Sequence, residues 1–544
     1  MKQIKDPLYG YIEVDEKYLC LIDTPEFQRL RNVRQTGYAS LYPSALHNRF
    51  VHSLGVFYLG KKAIKSFRNN VSFDYSSDKW DIWEETFILA CLLHDLGHSP
   101  FSHTGEEFYK QSTNFSDLFH CQIKSDALDK DIERVGYGKP HEAMSAYVGY
   151  KLIKEKYISS EIDKELFVRM IIGVKYDNVQ DNLILNTMVE MLNGSVIDVD
   201  KLDYLIRDSY VTGYKTMTID VDRLLSGYTL STYISEDNTT KKVAVYKKSA
   251  LSVVENVVFA NDSERRWIQS NPTILYDCKL IEIAIIQYNL YMMSQYPVLK
   301  EYINIFNEYS ISNNGYPSEK GIPLRLLCDD DIIEYLKNHC TNNEISEQFF
   351  SRRGRYKPLW KSEPEYSEVV KKELSTRILR EFRSMLRLLT SLTNGMFFIN
   401  EEMYIKYHNE LQDLIGSQEM LIQNPEVIAK KDNLKIYQIF RDFSIHNDYE
   451  YKFAVIYGNH FESNYKKLSV NNIYVEVSEN RVIELGKTLA VQAIVSTEEE
   501  QQGLFYIYTT RQNIQTAKSK NKIFTKELIK FIQTHWDEEI TLQS

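Results

Sequence analysis

Between residues 25 and 290, apolar side chains recur mostly at three- and four-residue spacing, which aligns them along one face of a helix. Stretches 84–93, 145–156 and 280–293 carry this pattern most clearly. One interval breaks it. Tyr228–Ile234 and 242–246 alternate and are rich in β-formers, with Glu236, Asp237 and Asn238 between them, which predicts a hairpin set among helices. Residues 300–450 return to the helical period, interrupted at 351–358 by a run that reads as a turn or linker. From Tyr451 the texture changes: 451–457, 473–477, 488–494 and 504–508 predict strands, and 526–536 predicts a closing helix. The expected fold class is mostly α, a helical body with a small β-hairpin insertion and a C-terminal α+β subdomain. The expected divisions are 1–295 for the body, 296–450 for a helical extension and 451–544 for the subdomain.

At 544 residues the chain can bury several cores, and 43% hydrophobic with 26% charged residues is the balance of an ordinary globular protein. A net charge of −10 disfavours a uniformly basic nucleic-acid coat, while leaving room for a local phosphate-binding patch. The six cysteines contain no CxxC pair, so neither a disulfide framework nor a zinc ribbon is indicated, and a reducing cytoplasm is expected. The N-terminal MKQIKDPLYGYIEV lacks the apolar core of a secretory signal. The longest strongly apolar run, 87–93, is too short to cross a bilayer, so no membrane partner is expected.

Histidine placement is the first chemical signal. Seven of the twelve histidines, at 47, 52, 94, 98, 103, 120 and 141, fall in a small fraction of the chain. In the densest stretch an apolar helix runs directly into His94 and Asp95, followed by His98 and His103. A nitrogen donor beside a carboxylate at the end of a buried helix suits a first-row metal. His94 and His98 share a face if the helix continues, although Gly97 and Pro100 point to an end nearby. A lone His-Asp pair is more often a structural hydrogen bond, but three other segments shift the balance. His52 lies in HNRFVHSLG, close to the cation of Arg49. His141-Glu142 follows Lys139-Pro140 at a helix start. Residues 197–208, IDVDKLDYLIRD, set four carboxylates among apolar residues, with Asp200, Tyr204 and Asp208 on one helical face and Asp203 and Arg207 on another. Either face can be a solvated salt-bridge stripe; carboxylates flanking an aromatic also suit a sugar-and-metal pocket.

The ordered set HNRFVHSLG, HDLGHSPFSH, KPHE and IDVDKLDYLIRD, with the earlier DPLYGYIEV and LIDTPEFQRLRNVRQTG, resembles the HD-domain deoxynucleoside triphosphate triphosphohydrolases. That family includes bacterial dGTP triphosphohydrolases and the animal SAM-and-HD-domain enzyme. The resemblance covers about residues 5–290 and is weak beyond. It implies that His52, His94, Asp95 and Asp200 are ligands of one manganese, iron, zinc or cobalt ion, with magnesium accompanying the nucleotide. It further implies that His98, His103 and His141 are catalytic-pocket histidines, that Arg49 and Lys201 contact phosphate, and that Gln35, Tyr204 and Asp208 read the deoxyribose. Glu106 stands where the animal enzyme has an Asp orienting a catalytic histidine, so that dyad is one methylene longer. Thr36 replaces a larger apolar residue near the base, so the family's base preference does not transfer.

The implied reaction is hydrolysis at the α-phosphorus, giving a deoxynucleoside and inorganic triphosphate. The metal would polarise a phosphoryl oxygen and acidify water, a histidine would move protons with Glu106 setting its tautomer, and Arg49 and Lys201 would neutralise phosphate charge. Such an activity serves nucleotide balance, genome protection or antiviral nucleotide depletion. Alternatives are another HD phosphohydrolase (a nucleotidase, cyclic-nucleotide phosphodiesterase or alarmone hydrolase) or a nucleotide-sensing or nucleic-acid-binding module with a degenerate site. The IDVDKLDYLIRD run disfavours the first, and the complete ligand set disfavours the second.

Arg352, Arg353, Arg355 and Lys357 form the sharpest basic cluster outside this region. A solvated loop explains them as well as phosphate capture does. They weakly resemble an Arg-aromatic-Lys segment that binds activating nucleotides between subunits of the animal enzyme, which implies a nucleotide activator and a homo-oligomer. Tyr356 and Trp360 are candidates for stacking a base, and so for weak single-stranded nucleic-acid binding.

Overall fold

A computed structural model gives the protein at residues 1–71, 77–108, 125–136, 138–157, 161–215, 217–235, 238–295, 316–317, 323–324, 327–352, 354–393, 395–417, 425–457, 473–478, 481–488 and 504–538. The described chain is mostly α and forms two compact units. The first comprises Met1–Gln269, Ile281–Cys340 and Tyr465–Ser496; the second comprises Ser270–Leu280, Thr341–Asn464 and Thr497–Ser544. Both draw on distant parts of the chain, unlike the three consecutive segments expected with boundaries at 295/296 and 450/451.

In the first unit the strands Lys2–Asp6 and Gly10–Val14 make an N-terminal antiparallel hairpin. The helix Arg49–Asn70 then begins under a side-chain cap, Asn48 Oδ1 accepting from Val51 N at 3.2 Å. It packs against the helices Ser77–Leu93 and Val199–Thr212. Gly55 permits the second approach: a Cβ there would lie 1.9 Å from Asp203 Oδ1. Phe87, Leu89, Ala90, Cys91, Leu92 and Leu93 are completely buried, so Ser77–Leu93 ends deep in the core, immediately before His94. Each large apolar side chain buried in this way contributes about 1.5–3 kcal/mol. Helices Pro140–Lys156, Lys164–Ile172 and Leu183–Leu192 complete the body around it.

The expected hairpin forms as Tyr228–Ile234 against Thr240–Lys247; its turn residues Glu236 and Asp237 lie outside the described residues. It is not an isolated insertion. Tyr474–Ser478 pairs in parallel with Thr240–Lys247, and Arg481–Glu484 adds the far edge of a four-stranded sheet. Val243, Val245 and Tyr233 share one buried cluster with Val482 and Tyr474, which explains the recruitment, since a lone hairpin buries too little to be stable. Part of the expected C-terminal subdomain therefore belongs to the body.

The second unit is built on another four-stranded antiparallel sheet, in the order Lys357–Pro358, Phe505–Thr509, Phe453–Tyr457, Met396–Ile399. Every residue of Phe453–Tyr457 and Phe505–Thr509 is buried, as in strands covered on both faces. Met396–Ile399 interrupts the helical reading of 300–450, and the end of the expected turn at 351–358 is an edge strand. Of the strand expected at 488–494, residues 489–494 lie outside the described residues. Among the described residues no helix is long and apolar enough to cross a membrane.

Candidate functional site

His52 comes from the first buried turns of Arg49–Asn70, His94 and Asp95 directly follow Ser77–Leu93, and Asp200 stands in the first turn of Val199–Thr212. Their polar atoms converge. His52 Nε2 lies 2.9 Å from Asp200 Oδ1 and 3.5 Å from Asp95 Oδ2. His94 Nε2 lies 3.4 Å from Asp95 Oδ1 and 3.6 Å from Asp200 Oδ1, contacts too long to satisfy a buried ring nitrogen. His52, His94 and Asp200 each offer a ligand atom within 4.8 Å of the others. These two nitrogens and one carboxylate oxygen could hold a divalent cation, with Asp95 the adjacent carboxylate and His94 Nε2 without a hydrogen-bond partner among the described residues.

The rings are aimed from behind. His52 Nδ1 sits 2.7 Å from Asp203 Oδ2, and His94 Nδ1 sits 2.9 Å from Cys91 O, so both rings turn Nε2 toward Asp95 and Asp200. Asp203 also accepts two bonds from Arg207, each 2.9 Å, and one from Tyr9 Oη at 2.8 Å; Arg207 reaches Asp6 at 3.0 Å. Burial works against charge on Asp203, yet Arg207 and His52 hold it below the usual carboxylate range. This orienting role of Asp203 escaped the sequence reading, although its i,i+4 pairing with Arg207 was visible there.

Arg49 donates to Asp95 Oδ2 at 2.7 Å and to Ser102 Oγ at 2.8 Å. Burial opposes ionisation of Asp95, but Arg49, His94 and His98 keep it well below the ordinary range. Beyond Asp95, His98 Nε2 approaches its Oδ1 at 3.2 Å, and the His98 ring stacks on His141 with centroids 3.8 Å apart. Glu106 Oε1 lies 2.7 Å from His141 Nδ1 and also bonds His103 Nδ1, so one glutamate oxygen serves both rings. With 58% of its side chain exposed, His103 is the member open to solvent; burial pushes His98 well below the normal histidine range.

The remaining expected residues lie on or near the same helix. Lys201 is turned toward Asp198, and its Nζ donates to Gly194 O at 2.9 Å. Tyr204 is half-buried one turn after Asp200, and Asp208 is almost fully buried one turn further on. Asp208 meets two residues the sequence reading gave no role: His47, whose Nε2 is 2.7 Å from Oδ1, and Glu264, with which it shares a hydrogen bond. Gln35 is buried near His47, its backbone N–H donating to His47 O at 3.0 Å while its Oε1 has no hydrogen-bond partner among the described residues.

The basic cluster lies in the second unit, and Arg353 is outside the described residues. Arg355 is committed to the fold. It pairs with Asp277 at 2.7 Å and donates to the carbonyls of Gln348 at 2.7 Å and Phe349 at 3.0 Å. Tyr356 and Trp360 are 5% and 1% exposed, and Trp360 Nε1 donates to Phe505 O, so neither ring can stack a base as expected. Arg352 is exposed and Lys357 partly so; burial and the charges of Arg352, Arg511 and Arg355 lower the Lys357 ammonium.

The model of the HD domain matches residues 49–205. An uncharacterized protein of Methanocaldococcus jannaschii is 32% identical over 292 residues, 53% of this chain and 50% of that protein. The deoxynucleoside triphosphate triphosphohydrolase SAMHD1 of Danio rerio is 34% identical over 233 residues, 41% of this chain and 36% of that protein. A SAMHD1 homolog of Dictyostelium discoideum is 32% identical over 226 residues, 41% of this chain and 39% of that protein. The chain thus spans about half the length of the curated relatives it matches, or less. A crystal structure of a hypothetical protein from Aquifex aeolicus shares the fold, with a TM-score of 0.50 at 21% identity over 96% of this chain and all of that one. The histidines and aspartates His52, His94, Asp95 and Asp200 all fall inside the matched region, so the chain carries an HD domain at 49–205 and is similar over part of its length to deoxynucleoside triphosphate triphosphohydrolases.

Proposed function

We propose that the protein hydrolyses deoxynucleoside triphosphates to a deoxynucleoside and inorganic triphosphate. The observation that carries this reading is the gathering of His52, His94 and Asp200 with Asp95 beside them, the ring group His98, His103 and His141 on Glu106, and Tyr204 and Asp208 further along the Asp200 helix. A divalent cation held by the four ligands would supply positive charge beside the α-phosphate and make a nearby water more acidic. Arg49, already facing that centre, would bear on phosphate oxygens; Lys201 would reach them by leaving Asp198. Water adds to the α-phosphorus as the bond to the 5′-oxygen breaks. His98, His103 or His141 takes the proton from water and returns one to the departing oxygen, with Glu106 holding the Nδ1 atoms of His103 and His141. Tyr204 would pack against C2′, while Asp208 and Gln35 would bond the 3′-hydroxyl. An activating nucleotide between subunits of a homo-oligomer would rest on Arg352, Lys357 and Arg511 rather than on Arg355. The test is a panel of four dNTPs and four NTPs, alone and mixed, with phosphate products separated. Triphosphate from dNTPs is expected; pyrophosphate or monophosphate as the first product would overturn the reading.

A further inference from the structure

The turn linking His98 to His103 is held by a residue far away in sequence. Phe101 and Ser102 both have left-handed backbones, φ 56 and 54, a conformation that side-chain-bearing residues keep only where their surroundings impose it. Asp329 supplies part of that constraint. It opens the helix Asp329–Asn338, outside the 49–205 HD match, and is 3% exposed. A first-turn aspartate ordinarily serves its own helix, but here Asp331 takes that task, accepting from Cys328 N at 2.8 Å. Asp329 instead accepts from Phe101 N through Oδ1 at 2.6 Å and from Arg34 N through Oδ2 at 3.1 Å. The next residue closes the circuit. Ser102 Oγ donates to Arg34 O and accepts from Arg49 Nε at 2.8 Å, while Ser99 Oγ donates to Ser102 O at 2.8 Å.

We propose that Asp329 is a positioning residue: its carboxylate locks the Phe101–Ser102 turn and the backbone at Arg34 together, and through Ser102 it fixes the Arg49 guanidinium beside Asp95. The same lock sets where His103 leaves the turn. What is hydrolysed rests on the function proposed above; the clasp itself does not.

Asp329→Asn keeps the size and one acceptor oxygen but puts an amide donor against a backbone N–H. Amides of Ser99, Phe101, Ser102 and His103 should then exchange with solvent at least about tenfold faster. Triphosphate release should fall about tenfold or more in kcat, with KM changed less than about threefold and metal content unaltered. Ser102→Ala should produce a similar loss, and the double variant should be no worse than the worse single one, since both act through one turn. Unchanged exchange, unchanged kcat, or losses that multiply would overturn the proposal. So would a kcat loss that only tracks lost metal or lost fold, or an unfolded Asp329→Asn beside a fully active Ser102→Ala. If the wild type releases no triphosphate, the substrate reading fails, and the exchange measurement still decides the clasp.

Discussion

Asp208 Oδ1 stands 2.7 Å from His47 Nε2 with both side chains nearly out of solvent, an environment that favours the neutral form of each. Burial, aided by repulsion from His52 and Arg207, pushes His47 down to about 3. Burial pushes Asp208 up to about 7 against its hydrogen bond with Glu264. Below about pH 7 burial therefore favours a protonated Asp208 carboxyl beside an uncharged imidazole. His47 has a folded pKa below its unfolded value of about 6.5, so its contribution to stability is complete above that pH. It is lost as pH falls toward 3, at roughly 1.4 kcal/mol per pH unit. Asp208 acts in the opposite sense, its contribution being lost as pH rises through 7. His47→Asn removes the first titration only. The Tm gap between wild type and this variant should narrow from pH 7 to pH 5, and a constant gap would contradict the neutral pairing.

Asp203 predicts a metal effect at a residue outside the ligand set. Its bond to His52 Nδ1 fixes which nitrogen faces Asp200. Asp203→Asn should weaken metal affinity about 10–100-fold in a chelator competition, the usual cost of losing an orienting carboxylate. Asp200→Asn should remove metal and activity together. Unchanged affinity in Asp203→Asn would return the Asp203–Arg207 pair to a purely structural role.

His98 separates ligand from proton carrier. Four residues after His94, it suits a bis-histidine site by spacing alone. In the fold its Nε2 approaches Asp95, and its ring lies against His141 rather than His94. His98→Ala should lower kcat about 10²–10⁴-fold while metal per chain stays at the wild-type value. Loss of metal in that variant would move His98 into the ligand set.

Tyr204 is the candidate sugar gate. Half-buried between Asp200 and Asp208, it would leave no room for a 2′-hydroxyl, a penalty of about 1–3 kcal/mol for a polar group denied its partner. Tyr204→Ala should raise the ribonucleotide-to-deoxyribonucleotide ratio of kcat/KM about tenfold or more. A core aromatic lost there would instead lower Tm and harm both sugars alike.

The long buried helices were legible because 84–93 and 145–156 repeat their apolar positions at the helical period. Lys2–Asp6 was not, since four of its five side chains face solvent at least in part and leave no apolar alternation. Met396–Ile399 is a short apolar run that periodicity cannot tell from a helical segment. Pairing of Tyr474 with Val245 is a non-local choice that no window along the chain contains. The same division holds at the site. His52, His94, Asp95 and Asp200 stand in ordered motifs, whereas His47, Asp203 and Glu264 acquire meaning only through the neighbours folding gives them. Arg355 read as a free cation because Asp277, its partner, lies far away in sequence.

The proposed reaction turns on water attack at the α-phosphorus of a deoxynucleoside triphosphate. It is tested most directly by incubating the metal-loaded protein with dNTPs in ¹⁸O-water and weighing the products. Inorganic triphosphate carrying one ¹⁸O, an unlabelled deoxynucleoside and little product from ATP or GTP are expected. Label in the deoxynucleoside, or release of pyrophosphate or monophosphate as the first product, would contradict it.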